Sequence, residues 1–231
     1  MTKFLNIGVI IPAFNEEQSI GKVINEIPKE LVSKIVVGNN NSTDNTEQVA
    51  RDAGAVVVTE PRMGYGYACL KCIDYFMQQQ NPPDIIVFLD GDYSDYPREM
   101  VDLVREITEN DIDLVIGSRA LGNSERGSMT PQQIFGNALA TKLIKLFYGV
   151  KYTDLGPFRA IKWSALMAMD MKDKTYGWTI EMQLKAVKLK MKTSEVPVKY
   201  RVRIGVSKVS GTIKGTILAG YKIITTIFKY L

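Results

Sequence analysis

Two acids one residue apart, Asp90 and Asp92, are the residues of this chain best placed to do chemistry. They follow Ile85-Ile86-Val87-Phe88-Leu89, an unbroken apolar run. Such a run reads as a strand buried on both faces, and the carboxyl end of a strand in an open α/β sheet is where ligands bind. Gly91 lets the backbone bend, so both carboxylates can face one hard cation. Mg²⁺ or Mn²⁺ suits such oxygen ligands and shares them with substrate phosphates. The competing reading is a turn bearing surface acids, since Asp-Gly is a common turn pair. The buried run before the acids, and Pro97 opening a helix after them, favour the cation site.

Other chemistries are excluded by residue type. The 231-residue chain has no histidine, which removes Ser-His-Asp and Cys-His nucleophiles and His-based zinc sites. A general base must then be a carboxylate, Lys or Tyr, or the substrate must need none. Cys69 and Cys72 form a C-x-x-C, but one pair cannot make a four-Cys zinc site. They fall inside a predicted helix rather than at its start, so they are expected to be buried free thiols. Two cysteines, and a strand predicted almost at once over residues 7–11, lead to the expectation of a cytoplasmic protein with no presequence.

Charge is unevenly distributed. Residues 1–141 hold 11 Lys+Arg against 20 Asp+Glu, net −9, whereas residues 142–231 hold 18 against 5, net +13. This asymmetry points to a cation site in the front half and an anionic partner or membrane surface for the back half. No nucleic-acid partner is expected.

The elements that must position the acids alternate in type. Strands are predicted at 8–11, 35–37, 55–59, 85–89 and 114–117, and helices at 17–27, 46–53, 65–80 and 97–109. That spacing implies βαβ units, hence an α/β fold with a mostly parallel sheet flanked by helices. Neither G-x-G-x-x-G nor G-x-x-x-x-G-K-[ST] occurs, so ordinary dinucleotide and P-loop sites are absent. Residues 118–130 read as a mobile polar loop, 131–148 as a helix, 177–190 as another helix and 196–202 as a strand. The end, 212–231, is amphipathic, with Ile213, Ile217, Tyr221, Ile224, Phe228 and Leu231 near one heptad face and Lys214, Lys222 and Lys229 away from it. Lysines interrupt it too often for a bilayer span. It lies either in a membrane interface or against the domain or a second copy in a homodimer.

Taken together these stretches resemble glycosyltransferase family 2, with its GT-A fold, and are most similar to the branch containing polyprenyl-phosphate (dolichyl-phosphate) mannose and glucose synthases. Ile11-Pro12-Ala13-Phe14-Asn15-Glu16-Glu17 resembles the opening nucleotide-binding motif, Asp90-Gly91-Asp92 the D-x-D metal motif and Gly117-Ser118-Arg119 the strand-five motif. The stretch 154–161, Tyr176-Gly177-Trp178 with Glu181, and Tyr200-Arg201-x-Arg203 with Ser207-Lys208 resemble the acceptor half. The resemblance implies one catalytic domain over 1–211, divided into a nucleotide-sugar half (1–117) and an acceptor half (118–211), then the helix 212–231. It further implies a nucleotide pocket of Pro12, Ala13, Asn15, Glu16, Asn39, Asp44, Gly64 and Asp90, with Mg²⁺ or Mn²⁺ on Asp90 and Asp92. Arg119 acts with Asp92 in catalysis on this reading, and Arg159, Arg201, Arg203, Ser207 and Lys208 hold diphosphate or acceptor phosphate.

The family usually has Asp after the second strand; here Asn39 stands there. A carboxylate can accept two hydrogen bonds from guanine, whereas an Asn amide oxygen can still accept the one from uracil N3–H. A UDP-sugar is therefore expected over a GDP-sugar. The implied reaction is inverting transfer of a hexose, glucose or a close relative, to a polyprenyl phosphate at the cytoplasmic membrane face. If the acceptor is instead a glycan or small-molecule hydroxyl, Glu181 is the implied base. Two further readings are a catalytically silent sugar-nucleotide-binding subunit and a nucleotidyltransferase.

Overall fold

The computed structural model describes residues 5–205 and 213–231, with side chains given for all but residues 213–217 and 219. One seven-stranded sheet forms from β1 (Ile7–Ala13), β2 (Lys34–Asn39), β3 (Val56–Thr59), β4 (Ile85–Phe88), β5 (Leu114–Ser118), β6 (Arg159–Lys162) and β7 (Thr193–Pro197). Their order is β3-β2-β1-β4-β6-β5-β7. All neighbouring pairs are parallel except those of β6, which runs antiparallel to both β4 and β5. The chain steps outward from β1 to β2 and β3, then returns to place β4 on the other side of β1. That reversal opens a crevice beyond the carboxyl ends of β1 and β4, the switch point at which such sheets bind ligands.

Alternation along the strands divides the apolar residues between two layers. Ile10, Ile86 and Phe88 join one layer with α3 (Tyr65–Met77), α5 (Pro131–Tyr148), α6 (Trp163–Met169), α7 (Trp178–Lys188) and α8 (Ile213–Lys229). Val9, Ile11, Val87 and Leu89 join the other with α1 (Ile20–Glu26), α2 (Thr46–Asp52) and α4 (Met100–Asn110). Residues 85–89 are each at most 2 % exposed, and each such side chain contributes about 1.5–3 kcal/mol by leaving water. The strand that delivers the acids is thus among the most firmly held parts of the fold. Cys69 and Cys72 lie in α3 as buried free thiols, their pKa values driven up by burial.

Helix ends follow local chemistry. Thr130 and Gln133 form a reciprocal capping box at the start of α5, Pro131 fills its first turn, and Gly149 closes it at φ 73°. The helix expected over 97–109 begins instead as a 3-10 turn, Pro97–Glu99, before α4.

Two expectations are corrected. The last strand is Thr193–Pro197, not 196–202. It is a polar edge strand paired only with β5, so it lacks the apolar alternation that marks residues 198–202. Those residues run extended instead, with isolated bridges from Tyr200 to Asp95 and Ser124. That pairing also fastens the loop expected to be mobile. The Glu125 N–H donates to Tyr200 O at 2.7 Å, and the Tyr200 N–H to Asn123 O at 3.1 Å. A Cβ on Gly122 would lie 1.9 Å from Val198 O, so only glycine fits this approach.

Candidate functional site

The crevice floor is a cluster of three carboxylates on the loop leaving β4. Asp92 Oδ1 accepts the Ser94 N–H at 2.9 Å and its hydroxyl at 2.5 Å, while Oδ2 faces Arg203 at 3.1 Å. Asp90 Oδ1 accepts the Tyr65 hydroxyl at 3.1 Å. Asp95 is buried, and among the described residues its Oδ1 has no hydrogen-bond partner. Burial, then the Asp92 charge, pushes the Asp90 carboxyl up to about 7, and Asp95 is raised by burial and by both neighbours. Crowded carboxylates with an orphaned oxygen fit a hard divalent cation. Among the described residues no group of three or more acids or thiols is arranged to hold a metal, which leaves the Asp90–Asp92 pair as the candidate seat. An ion on Asp90 and Asp92 would therefore keep coordination positions for ligand oxygens, as Mg²⁺ and Mn²⁺ do with phosphates.

The Asp90 shift has a measurable sign. Its pKa in the fold lies above the usual 3.8, so the metal-free protein loses stability as pH rises from about 4 through 7, where the folded carboxyl gives up its proton. Mn²⁺ binds the ionised form, so the melting-point gain on adding Mn²⁺ is expected to grow from pH 6 to pH 8. A gain independent of pH would contradict this.

Two cavities share the acids as a common wall. The first, about 320 Å³, is lined by Pro12, Ala13 and Phe14 from the end of β1, Asn40 from the loop after β2, Met63, Gly64 and Tyr65 at the start of α3, and Thr175 and Tyr176. Its rim is tightly built. The Gly64 N–H donates to Asn40 Oδ1 at 2.7 Å, and the Asn40 N–H to Ala13 O at 2.8 Å. Gly64 has φ 149°, and a Cβ there would lie 2.2 Å from Lys174 O. The second cleft, about 780 Å³, is mainly apolar, with Phe135, Leu139, Leu155, Ile223 and Ile224 leading away from Asp90, Asp92, Arg119 and Arg203. Arg119 is fixed at its mouth by a bidentate pair with Asp154, 2.7 and 2.8 Å, and lies over the Tyr200 ring.

The structure therefore brings together Pro12, Ala13, Glu16, Gly64, Asp90, Asp92, Arg119 and Arg203. Asn15, Asn39 and Asp44 stand behind the wall. Asn15 Oδ1 accepts the Thr43 N–H at 2.8 Å, Asn39 Oδ1 the Ser42 N–H at 3.1 Å, and the Asp44 carboxylate the Glu17 and Thr46 N–H groups. They tie the β1 and β2 loops together rather than lining the cavity. Ser207 and Lys208 lie outside the described residues.

Three expected site residues are engaged outside the two cavities. Arg159 is 1 % exposed and donates to Gly156 O, Thr179 O and Gln183 Oε1, so it braces α7 beneath the sheet and is closed to phosphate. Arg201 lies over the Tyr93 ring at 3.3 Å and the Tyr96 ring at 4.3 Å, and donates to Tyr93 O, Asp95 O and Glu26, so it fastens the acidic loop. Glu181 is 1 % exposed and accepts the Lys172 and Asp173 N–H groups, the Tyr230 hydroxyl and Lys185 Nζ. It lines neither cavity of the crevice. Glu181→Gln is expected to cost about 2 kcal/mol, the usual loss for hydrogen bonds to a charged group, in urea unfolding. The folded variant should keep its turnover; a selective loss of turnover would restore the catalytic role.

Tyr65, Asn40, Thr175, Phe135 and Asp95 were not singled out from sequence. Asp95 had a signal: it is the third acid of the stretch Asp90-Gly91-Asp92-Tyr93-Ser94-Asp95. The others reach the site only through the tertiary fold.

Comparison with known proteins gives this geometry a context. The family model for Glycosyl transferase family 2 matches residues 8–169. An uncharacterized glycosyltransferase of Mycobacterium tuberculosis is 31% identical over 215 residues, covering 92% of this chain and 94% of that protein. A dolichyl-phosphate hexose transferase of Haloferax volcanii is 27% identical over 208 residues, covering 89% and 87%. Among solved structures, glucosyl-3-phosphoglycerate synthase from M. tuberculosis, in complex with Mn²⁺, UDP-glucose and phosphoglyceric acid, superimposes with a TM-score of 0.77 at 23% identity, covering 98% of this chain and 79% of that one.

Proposed function

This chain belongs to glycosyltransferase family 2, and we propose that it moves a hexose from a UDP-sugar to a polyprenyl phosphate with inversion. The carrying observation is the position of Asp90 and Asp92 between a nucleoside-sized cavity and an apolar cleft. A divalent cation held by those two carboxylates supplies charge neutralisation for the diphosphate leaving group.

The chain's own residues do the rest. The cavity behind Pro12, Asn40 and Gly64 takes the nucleoside. Support for a uridine donor comes from the UDP-glucose complex of the structural neighbour; Asn39, behind the cavity wall, would act on the base only through the loop it holds by accepting the Ser42 N–H. Arg119, fixed by Asp154, and Arg203 line the mouth of the second cleft, where an acceptor phosphate would sit. One phosphate oxygen attacks the anomeric carbon as its bond to UDP breaks on the opposite side. Phosphate is already ionised near neutrality, its second pKa being about 6, so no protein base is required. The burial of Glu181 is compatible with that acceptor. The dolichyl-phosphate hexose transferase among the relatives supports this acceptor class, and the UDP-glucose and Mn²⁺ complex of the structural neighbour supports donor and ion.

The cleft continues into an exposed ridge on α5 and α8. Phe135 is 70 % and Leu146 74 % exposed, with Ile134, Phe147, Tyr221 and Phe228 beside them, and Phe147 and Phe228 meet edge to face at 5.3 Å. Lys142, Lys145 and Lys229 are exposed on the same two helices. No helix among the described residues is long and apolar enough to cross a membrane. A ridge of this kind suits the surface of an anionic bilayer. Phe135→Ser with Leu146→Ser is expected to weaken binding to anionic vesicles at least tenfold, from about 1.5–3 kcal/mol of burial per side chain. Unchanged vesicle binding, with conversion of a dimer to a monomer, would assign the ridge to a second copy.

The testing experiment is Mn²⁺-dependent UDP release across UDP- and GDP-sugars, with and without a short polyprenyl phosphate. Release that rises only with lipid and a uridine donor is expected. Release indifferent to lipid would send the search to hydroxyl acceptors.

A further inference from the structure

Arg203 sits where a metal-dependent site has little use for a fixed positive charge. Its guanidinium bridges two loops, with Nη1 3.1 Å from Asp92 Oδ2 and Nη2 3.2 Å from Glu16 Oε1. Among the described residues its buried Nε has no hydrogen-bond partner, so the guanidinium is only partly satisfied there. The backbone around it is held. The Ile204 N–H donates to Asp92 O and the Arg201 N–H to Ser94 O, each at 2.9 Å, and Arg201 is clamped against Tyr93 and Tyr96. Motion at this position is therefore left to the Arg203 side chain, which lines both cavities.

We propose that Arg203 is a placeholder cation. It occupies Asp92 until a divalent ion takes that carboxylate, and then turns into the second cleft, where its freed guanidinium receives the acceptor's anionic group. Ion arrival and anion capture are thereby coupled through one side chain. The inference rests on the reading of Asp90 and Asp92 as the ion's seat. It follows from competition: Arg203 already neutralises Asp92 at 3.1 Å, so a divalent ion arriving there meets a like charge, and removing the internal cation tightens the external one.

The test is Mn²⁺ titration of the full chain, followed by the loss of the free-ion EPR signal, without nucleotide or acceptor. Arg203→Gln is expected to bind Mn²⁺ about tenfold more tightly than the parent, a typical coupling between linked sites, and Asp92→Asn to bind weakly in both backgrounds. A folded Arg203→Gln with equal or weaker affinity overturns the proposal. Should that variant fail to fold, Arg203→Lys serves. Its single ammonium cannot bridge Asp92 and Glu16 as the fork does, so about threefold tightening is expected, and none overturns the proposal. If the parent binds no Mn²⁺ through Asp92 even with UDP present, the seat itself is wrong and the proposal falls with it. Asp92-dependent binding that ignores Arg203 removes the placeholder alone.

Discussion

Asp92→Asn is expected to lower turnover by about a thousandfold, the upper range for losing one preorganised charge-stabilising group, while leaving the fold intact. Asp92 Oδ1 is held by the Ser94 N–H and hydroxyl, and an amide oxygen can accept the same bonds. What disappears is the charge that holds a cation. Removing it also relieves Asp90, whose pKa is raised by burial first and by Asp92 second. The metal-free variant should therefore melt near the parent's temperature at pH 7, the relief of Asp90 offsetting the lost ion pair to Arg203, with Asp90 titrating lower. Unchanged turnover would refute the ion's role. A large fall in melting temperature would mean that Asp92 is structural.

Asp154→Ala is expected to be the most destabilising single change around the cleft. Asp154 is 1 % exposed and accepts three hydrogen bonds from Arg119, one from the backbone N–H and two from the guanidinium, at 2.7 to 2.8 Å. Truncation leaves the Arg119 charge, itself 12 % exposed, without its partner. Breaking a buried pair from one side costs about 3–5 kcal/mol, which for a chain of this size lowers the melting temperature by roughly 6–20 °C. The freed Arg119 also leaves the mouth of the cleft, so the variant that still folds should turn over slowly with a raised acceptor KM. Asp154→Asn keeps the shape and loses the charge, and should fall between. A melting temperature within about 2 °C of the parent's would show the pair to be a solvated surface bridge of the kind worth under about 1 kcal/mol.

Much of this architecture is legible in the sequence because it rests on local signals. The apolar run 85–89 ending in two acids is a buried strand delivering carboxylates to a sheet edge. Thr130, Pro131, Gln133 and Gly149 bracket α5 by capping alone. What the sequence hides is partnership between distant residues. Arg159, Arg201 and Glu181 have the types and motif positions of site residues, yet their hydrogen-bonding capacity is consumed by Thr179, by Glu26 and the Tyr93 carbonyl, and by Lys185 and Tyr230. No spacing rule announces those contacts. Of two arginines two residues apart on one extended segment, and so on one side of it, Arg201 lies over the Tyr93 and Tyr96 rings and Arg203 faces the acids, a difference set by which part of the loop after β4 each reaches. The last strand was obscured for the opposite reason. At a half-exposed edge, Thr193–Pro197 needs no apolar alternation to pair with β5. The C-terminal helix shows both effects. Its Ile227 and Tyr230 anchor it to the fold, whereas Tyr221, Phe228 and Leu231, on the apolar face the heptad picks out, are exposed.

A metal-dependent transfer from a UDP-sugar to a lipid phosphate leaves its signature in the product. The measurement is NMR of the lipid fraction after incubation with UDP-α-glucose, Mn²⁺ and a short polyprenyl phosphate, with a parallel Asp92→Asn sample. The expected product is a glucosyl phosphate with a β anomeric linkage, formed by the parent and absent from the variant. An α-linked product, or glucose released as the free sugar with the lipid phosphate unchanged, would contradict it.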